Sequence, residues 1–491
     1  MTIKHTTQDK SVDYKLKWYV MAAVAMGVFL GTIDGSIVNV ALPTLVRELN
    51  TDFPTVQWVV LGYLLAQATL MLSVGRMGDM VGKKPVYTIG FVVFTLGSVM
   101  CGLAPNVHLL IAFRIFQAIG ASMTAALGMA IVTEAFPPNE RGKALGIMGT
   151  IVSVGIAVGP TIGGMILGVF SWHWIFFVNL PIGIIGIFMV IRFVPNFKPE
   201  GRQKFDFLGA GAMLVSLLSL LLALTLGQSL GFGNTFILVL FGTFVLFLGI
   251  FIALELRIKQ PMIDLRLFRN TLFSINLVTG VMAFIALSGT TILIPFYLEN
   301  VLGFNPQKVG LLMATIPVFL GVIAPISGSL SDRFGTRPIT LIGLAVLMGG
   351  YFLMSTITAD TTVLGYILRI LPIGLGIGIF QSPNNSAVMG TVPRERLGVA
   401  SGLLSLSRTL GQTTGIAAVG AFWAARVFFH NGSGLPGGAT DAPAAAQVSG
   451  LHDTFVILVG LMLVAFSLAA YAVWEERRKK TGPILVGEHG E

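Results

Sequence analysis

The chain holds one cysteine, Cys101, in 491 residues. A single thiol excludes an internal disulfide and any CxxC metal site, and within an apolar stretch Cys101 reads as packing filler. Charge is scarce as well: 11% of the residues are Asp, Glu, Lys or Arg, against about a quarter in soluble proteins. No HExxH, GxSxG or phosphate-binding Gly-Lys pattern is present, so hydrolytic and nucleotide-dependent enzymes lack their chemistry here. No polar segment is long enough to form a soluble catalytic or receptor domain. No cleavable signal peptide is evident either. Residues 1–17 are polar and basic, and the apolar run that follows is too long for a signal core. The first helix is therefore expected to remain as an anchor.

What the chain does have is apolar sequence, 54% of it. Long apolar runs recur from end to end, which predicts a polytopic membrane protein. Fourteen spans are read, at roughly 18–42, 55–75, 86–104, 108–135, 145–169, 174–194, 207–227, 235–255, 271–298, 308–330, 338–358, 361–391, 398–424 and 453–474. All must be helices, because backbone facing lipid has to satisfy its own hydrogen bonds. Lys and Arg fall overwhelmingly in alternate connections. Only Arg47, Lys308 and Arg426 lie in the others, and Arg114, Arg369 and Arg408 lie within spans. This bias places both termini in the cytoplasm. It also accounts for the net charge of +9 without a nucleic-acid partner. The longest outer loop, about 425–452, contains "NGSGLPGGATDAPAAAQ" and is expected to be flexible. Its Asn431-Gly432-Ser433 sequon is a pattern common by chance.

The chain repeats itself. "GRMGDMVGKKP" (75–85) returns as "GSLSDRFGTRP" (328–338), with Gly75/Gly328, Asp79/Asp332, Gly82/Gly335 and Pro85/Pro338 at one constant offset. Arg114 and Arg369 sit early in spans four and twelve at nearly the same offset. Spans one to six thus match spans nine to fourteen, and spans seven and eight are left over as spacers. Duplication of this kind, around a midplane cavity, is a transporter architecture. The expected divisions are a tail (1–17), a six-helix half (18–194), linkers with two extra helices (195–270), a second half (271–474) and a cytoplasmic tail (475–491).

These residues resemble the major facilitator superfamily, and within it the fourteen-helix drug:proton antiporters of the EmrB/QacA type. "GRMGDMVGKK" resembles the loop motif G-x-x-x-D-R-x-G-R/K, with Met80 where a basic residue is usual; the second copy keeps it as Arg333. "RIFQAIGAS" (114–122) resembles the span-four motif R-x-x-Q-G, with Ala118 in place of Gly. "GIAVGPTIGG" (155–164) resembles the exporter motif of span five and supplies Gly155, Gly159, Pro160, Gly163 and Gly164. "DGSIVNVALP" and "SWHWIFFVNLPIG" resemble the first-span and sixth-span motifs, the latter with His173 where Arg is usual. The resemblance implies an all-α major facilitator fold of two six-helix halves plus two extra central helices. It also implies export from the cell membrane with no cofactor, and in some two-membraned bacteria a periplasmic adaptor.

One residue demands explanation on its own terms. Asp34, in "LGTIDGSIVNVALP" (30–43), is a carboxylate within hydrocarbon, costly by a few kcal/mol or more. By helix rise it lies about 25 Å along span one. Arg114 is about 9 Å below the opposite surface in span four. The two depths agree within the roughly 30 Å hydrocarbon layer. Two readings stand: a static ion pair holding the bundle, or a proton switch tuned by Arg114 and steadied by Gln117 one turn on. In the resembled fold each half's loop abuts the start of a helix from the other half, which implies that Asp79 and Asp332 cap those N-termini, with Gly82 and Gly335 allowing tight turns. Together with Gly75, Arg333 and a cluster of Glu134 with Lys83 or Arg141, they form a cytoplasmic latch. Asn39, Tyr63, Gln67, Gln381, Asn384, Asn385, Arg369 and Arg408 have cavity-compatible depth, as ligands or as helix bridges.

The sequence thus predicts a proton-coupled antiporter that exports small amphipathic molecules by alternating access, and no metal or cofactor is called for. A proton-coupled uptake symporter is the alternative, and a membrane-embedded enzyme or receptor the alternative of a different class.

Overall fold

The computed structural model describes residues 16–137, 140–196, 206–231, 233–258, 265–392, 397–432 and 438–481. Among these there is no strand. The helices are α1 (Lys17–Glu48), α2 (Phe53–Val81), α3 (Lys83–Gly102), α4 (Val107–Ala135), α5 (Arg141–Val169), α6 (Trp174–Phe177), α7 (Asn179–Phe193), α8 (Phe207–Leu230), α9 (Thr235–Glu255), α10 (Thr271–Phe296), α11 (Pro306–Met313), α12 (Thr315–Phe334), α13 (Thr336–Met354), α14 (Val363–Gly390), α15 (Leu397–Thr414), α16 (Gly420–Asn431) and α17 (Ala444–Thr481). Among the described residues, twelve spans are long and apolar enough to cross a membrane. Two of the fourteen expected spans fall outside those twelve. In α8 the apolar run is the shorter Leu208–Leu224, and α15 is diluted by Ser405, Ser407, Arg408, Thr409, Gln412 and Thr413.

The sequence repeat is also a packing repeat. α3 lies on α4 as α13 lies on α14; α2 packs on α4 as α12 does on α14; α1 packs on α5 and α7 as α10 does on α15 and α17. The helix caps repeat too. Asp52 accepts from the Thr55 amide at 2.9 Å, and its counterpart Asn305 accepts from Lys308 at 3.0 Å. In each case a proline occupies the first turn, where its missing N–H costs nothing. Gly82 is the sole residue between α2 and α3, and Gly335 the sole residue between α12 and α13. Their φ angles are +112° and +86°, a region open to glycine and closed to most side chains. The repeated loop motif is therefore a repeated one-residue turn.

Two apolar spans are broken in the same way. Val178 separates α6 from α7, and Ala314 separates α11 from α12. Pro181 and Pro317 each follow three residues later, and neither can donate to the carbonyl four residues back. Of residues 425–452, expected as a flexible loop, 433–437 lie outside the described residues and much of the remainder is helix. α16 runs to Asn431, α17 begins at Ala444, and buried Gln447 donates to the Thr440 and Ala442 carbonyls at 3.0 and 2.8 Å. An amide that satisfies two loop carbonyls overrides a composition that reads as coil.

The halves meet at the end of the bundle where α1 and α10 finish, called here the far end. Arg47 pairs with Glu299 at 2.8 Å, Phe53 lies edge-on to Phe296 and Trp423, and α5 packs against α11. The extra helix α8 lies along α2 and α9, and its Ala212, Met213 and Leu217 share one apolar cluster with Leu403 of α15.

Candidate functional site

Asp34 and Arg114 do meet. Both are fully buried, and Arg114 Nη1 donates to Asp34 Oδ2 at 2.6 Å. The same nitrogen donates to Gln117 Oε1 at 2.6 Å, and Arg114 Nε donates to the Val59 carbonyl at 3.1 Å. The guanidinium also lies 4.1 Å from the centre of the Tyr63 ring, a cation–π contact in a water-poor site. Asp34 Oδ1 accepts twice more, from Gln117 Nε2 at 3.0 Å and from Asn179 Nδ2 at 2.7 Å. Behind these amides, Ser98 Oγ accepts from Gln117 at 2.6 Å and from Asn179 at 3.2 Å.

Five helices of one half thus converge on a single carboxylate. The backbone explains how. A β-carbon on Gly97 would lie 2.6 Å from Gln117 Cα, and one on Gly120 would lie 2.3 Å from the Phe94 nitrogen. Glycine at both places lets α3 and α4 touch backbone to backbone, which brings Ser98 beside Gln117. The break at Val178 starts α7 at Asn179, whose amide then faces Asp34. Both carboxylate oxygens accept, and every contact donates to them. These three donors fill three of the carboxylate's roughly four acceptor sites, so a proton arriving on Asp34 cancels the charge that all of them are aimed at. A buried ion pair of this kind holds only while its remaining bonds are satisfied.

Sequence reasoning missed Ser98 and Asn179. The signal was present: each is a polar residue inside an apolar run, and Asn179 lies in the quoted "SWHWIFFVNLPIG". We expect Asn179→Ala to lower thermal stability by about 1–3 kcal/mol, the cost of an unsatisfied buried group, and to shift the pH profile of transport. An unchanged profile and melting temperature would return Asn179 to the background.

The other expected site residues are dispersed. Asn39 and Asn384 each bury an Oδ1 with no partner, as Tyr63 buries its hydroxyl; Gln67 and Gln381 are half-buried and Asn385 is exposed. Arg369 serves as a helix bridge. It donates to Thr356 Oγ1 and the Gly365 carbonyl, both at 3.0 Å, tying the first turn of α14 to the end of α13. Glu299, the acidic residue just beyond α10, pairs with Arg47 rather than with Arg369 or Arg408. Among the latch residues, Lys83 pairs with Glu134, Arg333 is exposed and Gly75 is uncrowded. The side chains of Asp79, Asp332 and Arg141 lie outside the described part of the structure. In the exporter motif, β-carbons on Gly155, Gly159 and Gly163 would strike Thr32, Ser36 and Ile37 of α1, and Ser36 Oγ donates to the Gly155 carbonyl at 3.2 Å. Pro160 is buried inside α5, and Gly164 turns to the other half, against Pro306 and Gly310.

Comparison with known proteins bears on the family and the fold. The family model described as Major Facilitator Superfamily matches residues 24–416. The riboflavin transporter RibZ of Clostridioides difficile is 38% identical over 419 residues, covering 85% of this chain and 90% of that protein. The multidrug resistance protein Stp of Mycobacterium tuberculosis is 34% identical over 407 residues, 82% of this chain and 75% of that protein. A bacterial homologue of the human lysosomal transporter Spinster, in an inward-facing, unoccupied conformation, superposes with a TM-score of 0.67 at 17% identity, over 93% of this chain and 97% of that one.

Proposed function

We propose, from the premise that this chain belongs to the Major Facilitator Superfamily, that it is a proton-coupled antiporter of the fourteen-helix drug-export type. It exchanges protons for small amphipathic molecules by alternating access in the cell membrane, with both termini cytoplasmic. The observation that carries this reading is the buried acceptor Asp34, held by Arg114, Gln117 and Asn179. Protonation removes the charge that fixes Arg114. Asp34 rides on α1, and α1 packs on α5 of its own half and on α10 and α11 of the other. Loosening Asp34 from α4 and α7 therefore reaches the interface between halves directly. Similarity to named multidrug proteins supports export of amphiphiles.

Similarity to a riboflavin transporter supports a second reading, a carrier for a single metabolite with the same proton chemistry. One experiment tests the coupling for both. In proteoliposomes, an inward proton gradient should drive cargo outward against its own gradient, and a protonophore should stop it. Cargo movement indifferent to the protonophore removes the coupling, and co-directional movement supports uptake symport.

The gates follow from the same reading. The far end is the outer gate, closed in this structure. The two one-residue turns with Asp79 and Asp332 form the inner latch, helped by the Lys83–Glu134 pair. Whether an adaptor attaches outside depends on the host envelope. Arg47→Ala should open the outer gate two- to fivefold more often, since a pair with one exposed partner is worth about 0.2–1 kcal/mol. Spin labels on Asn50→Cys and Asp360→Cys, both exposed at that end, would report it as a larger population of long distances.

A further inference from the structure

Arg114, Arg369 and Arg408 all stand within helices, and the structure treats them differently. Arg114 is matched by Asp34, and Arg369 is satisfied by a hydroxyl and a carbonyl. Arg408, in α15, has neither. Among the described residues it makes no hydrogen bond, ion pair or ring contact. It stands about 17 Å along α15 by helix rise, where an uncompensated cation is most costly.

The surroundings of α15 show which face Arg408 occupies. Gly411 and Gly415 press on α10, where added β-carbons would lie 2.7 Å from the Val281 oxygen and 2.3 Å from the Ile285 oxygen. Leu403, Leu406 and Leu410 pack into the apolar cluster that includes Met213 and Leu217 of α8. The face between carries Ser405, Arg408 and Gln412, spaced to lie in one row. All three are half-buried, and Ser405 and Gln412 also make no side-chain hydrogen bond among the described residues. α15 also packs on α2 of the other half, so the helix that carries this row stands at the junction of the two halves. A polar row with unspent donors also explains why α15 is less apolar than its neighbours.

We propose that Arg408, with Gln412 and Ser405, is the anion-recognising part of the transport site, and that the cargo is an amphipathic molecule bearing one carboxylate or similar oxyanion. The guanidinium presents two parallel N–H groups matched to a carboxylate's two oxygens. Gln412 and Ser405, one turn to either side, add donors for the same group. Asp34 is already neutralised by Arg114, so a monoanion cancels the remaining charge and a dication meets no acid. The proposal rests on the transport reading above and narrows its substrate class.

The test uses the purified full-length protein in nanodiscs and a matched pair of fluorescent amphiphiles, 1-pyrenebutyrate and 1-pyrenebutanol. Binding is read after subtraction of partition into empty nanodiscs. Wild-type protein should bind the carboxylate at least tenfold more tightly than the alcohol. Arg408→Gln should weaken the carboxylate at least tenfold and leave the alcohol within twofold. Arg408→Lys keeps the charge without the fork and should fall between; it also serves if Arg408→Gln does not fold. Equal binding of the two probes, no binding of the carboxylate, or undiminished carboxylate affinity in a folded Arg408→Gln protein overturns the assignment. Proton-driven movement of the alcohol without anion preference keeps the transport reading and sinks this one. Arg408-dependent anion binding without proton-driven movement does the reverse.

Discussion

Asp34→Asn should abolish uphill, proton-driven transport, by a hundredfold or more, in a protein that still folds. The amide offers one acceptor and one donor where the carboxylate offers two acceptors. Turned to keep Gln117 and Asn179, it points its own N–H at Arg114; turned to keep Arg114, it points that N–H at the two amides. Either way the charge on Arg114 is unmatched, as it is when Asp34 carries a proton. The variant is thus fixed in the protonated half of the cycle. Substrate-induced proton release should vanish while passive exchange persists. Asp34→Glu should keep partial activity with a displaced pH profile. Ser288→Ala, at the matching place in the second half, should change little.

The static reading of the same pair is separated by a double replacement. Breaking a buried pair by removing one partner costs about 3–5 kcal/mol, whereas apolar replacement of both is often neutral. Asp34→Leu with Arg114→Leu should therefore recover stability over either single change. If transport returns with it, the pair is structural glue and the proton-switch reading falls. If stability returns and transport does not, the carboxylate is doing chemistry once per cycle. The repeat points the same way, since the second half has Ser288 where the first has Asp34.

The second large effect is expected at the outer gate. A β-carbon on Gly310 would lie 2.2 Å from the Pro160 oxygen and 3.0 Å from Gly164 Cα, and one on Gly164 would lie 2.5 Å from the Pro306 oxygen. These are backbone contacts between halves, so no side chain can swing aside to relieve them. Gly310→Val and Gly164→Val should hold the far end apart and slow turnover ten- to a hundredfold, without loss of fold. Gly159→Ala meets Ser36 Oγ of the same half at 1.9 Å and should show up as lost stability. Gly149→Ala, with nothing within 4 Å, is the neutral control. Turnover, melting temperature and the spin-label distances across the gate separate the three classes. Wild-type turnover in both Val variants would mean the halves need not close there.

Much of this was legible in the sequence because membrane burial leaves few ways to place a charge. Asp34 and Arg114 had to find each other, and helix rise alone put them at one depth. Gly82 and Gly335 were legible because a repeated glycine beside a repeated proline marks a turn, and both turns have the positive φ that only glycine takes freely. The family motifs carried the fold, since apolar periodicity cannot distinguish one bundle from another. α8 and α9, apolar on every side, gave no hint of where they would pack.

The tertiary structure alone decided who completes the carboxylate's shell and which arginine stays open. Ser98 and Asn179 are distant in sequence from Asp34 and reach it only through close α3–α4 packing and the break before α7. Arg47 and Glu299 lie at the ends of helices from different halves, so their pairing depends on how the halves meet. The exporter motif read as a single glycine stripe, yet three of its glycines face α1 and the fourth faces α11. Arg369 and Arg408 looked equivalent as lone cations in apolar helices. One sits beside a hydroxyl oxygen that can accept and a first-turn carbonyl, and the other does not. Sequence fixes which groups must be satisfied, because that cost is local and large. Which partners satisfy them is set by distances between helices, which no single helix encodes.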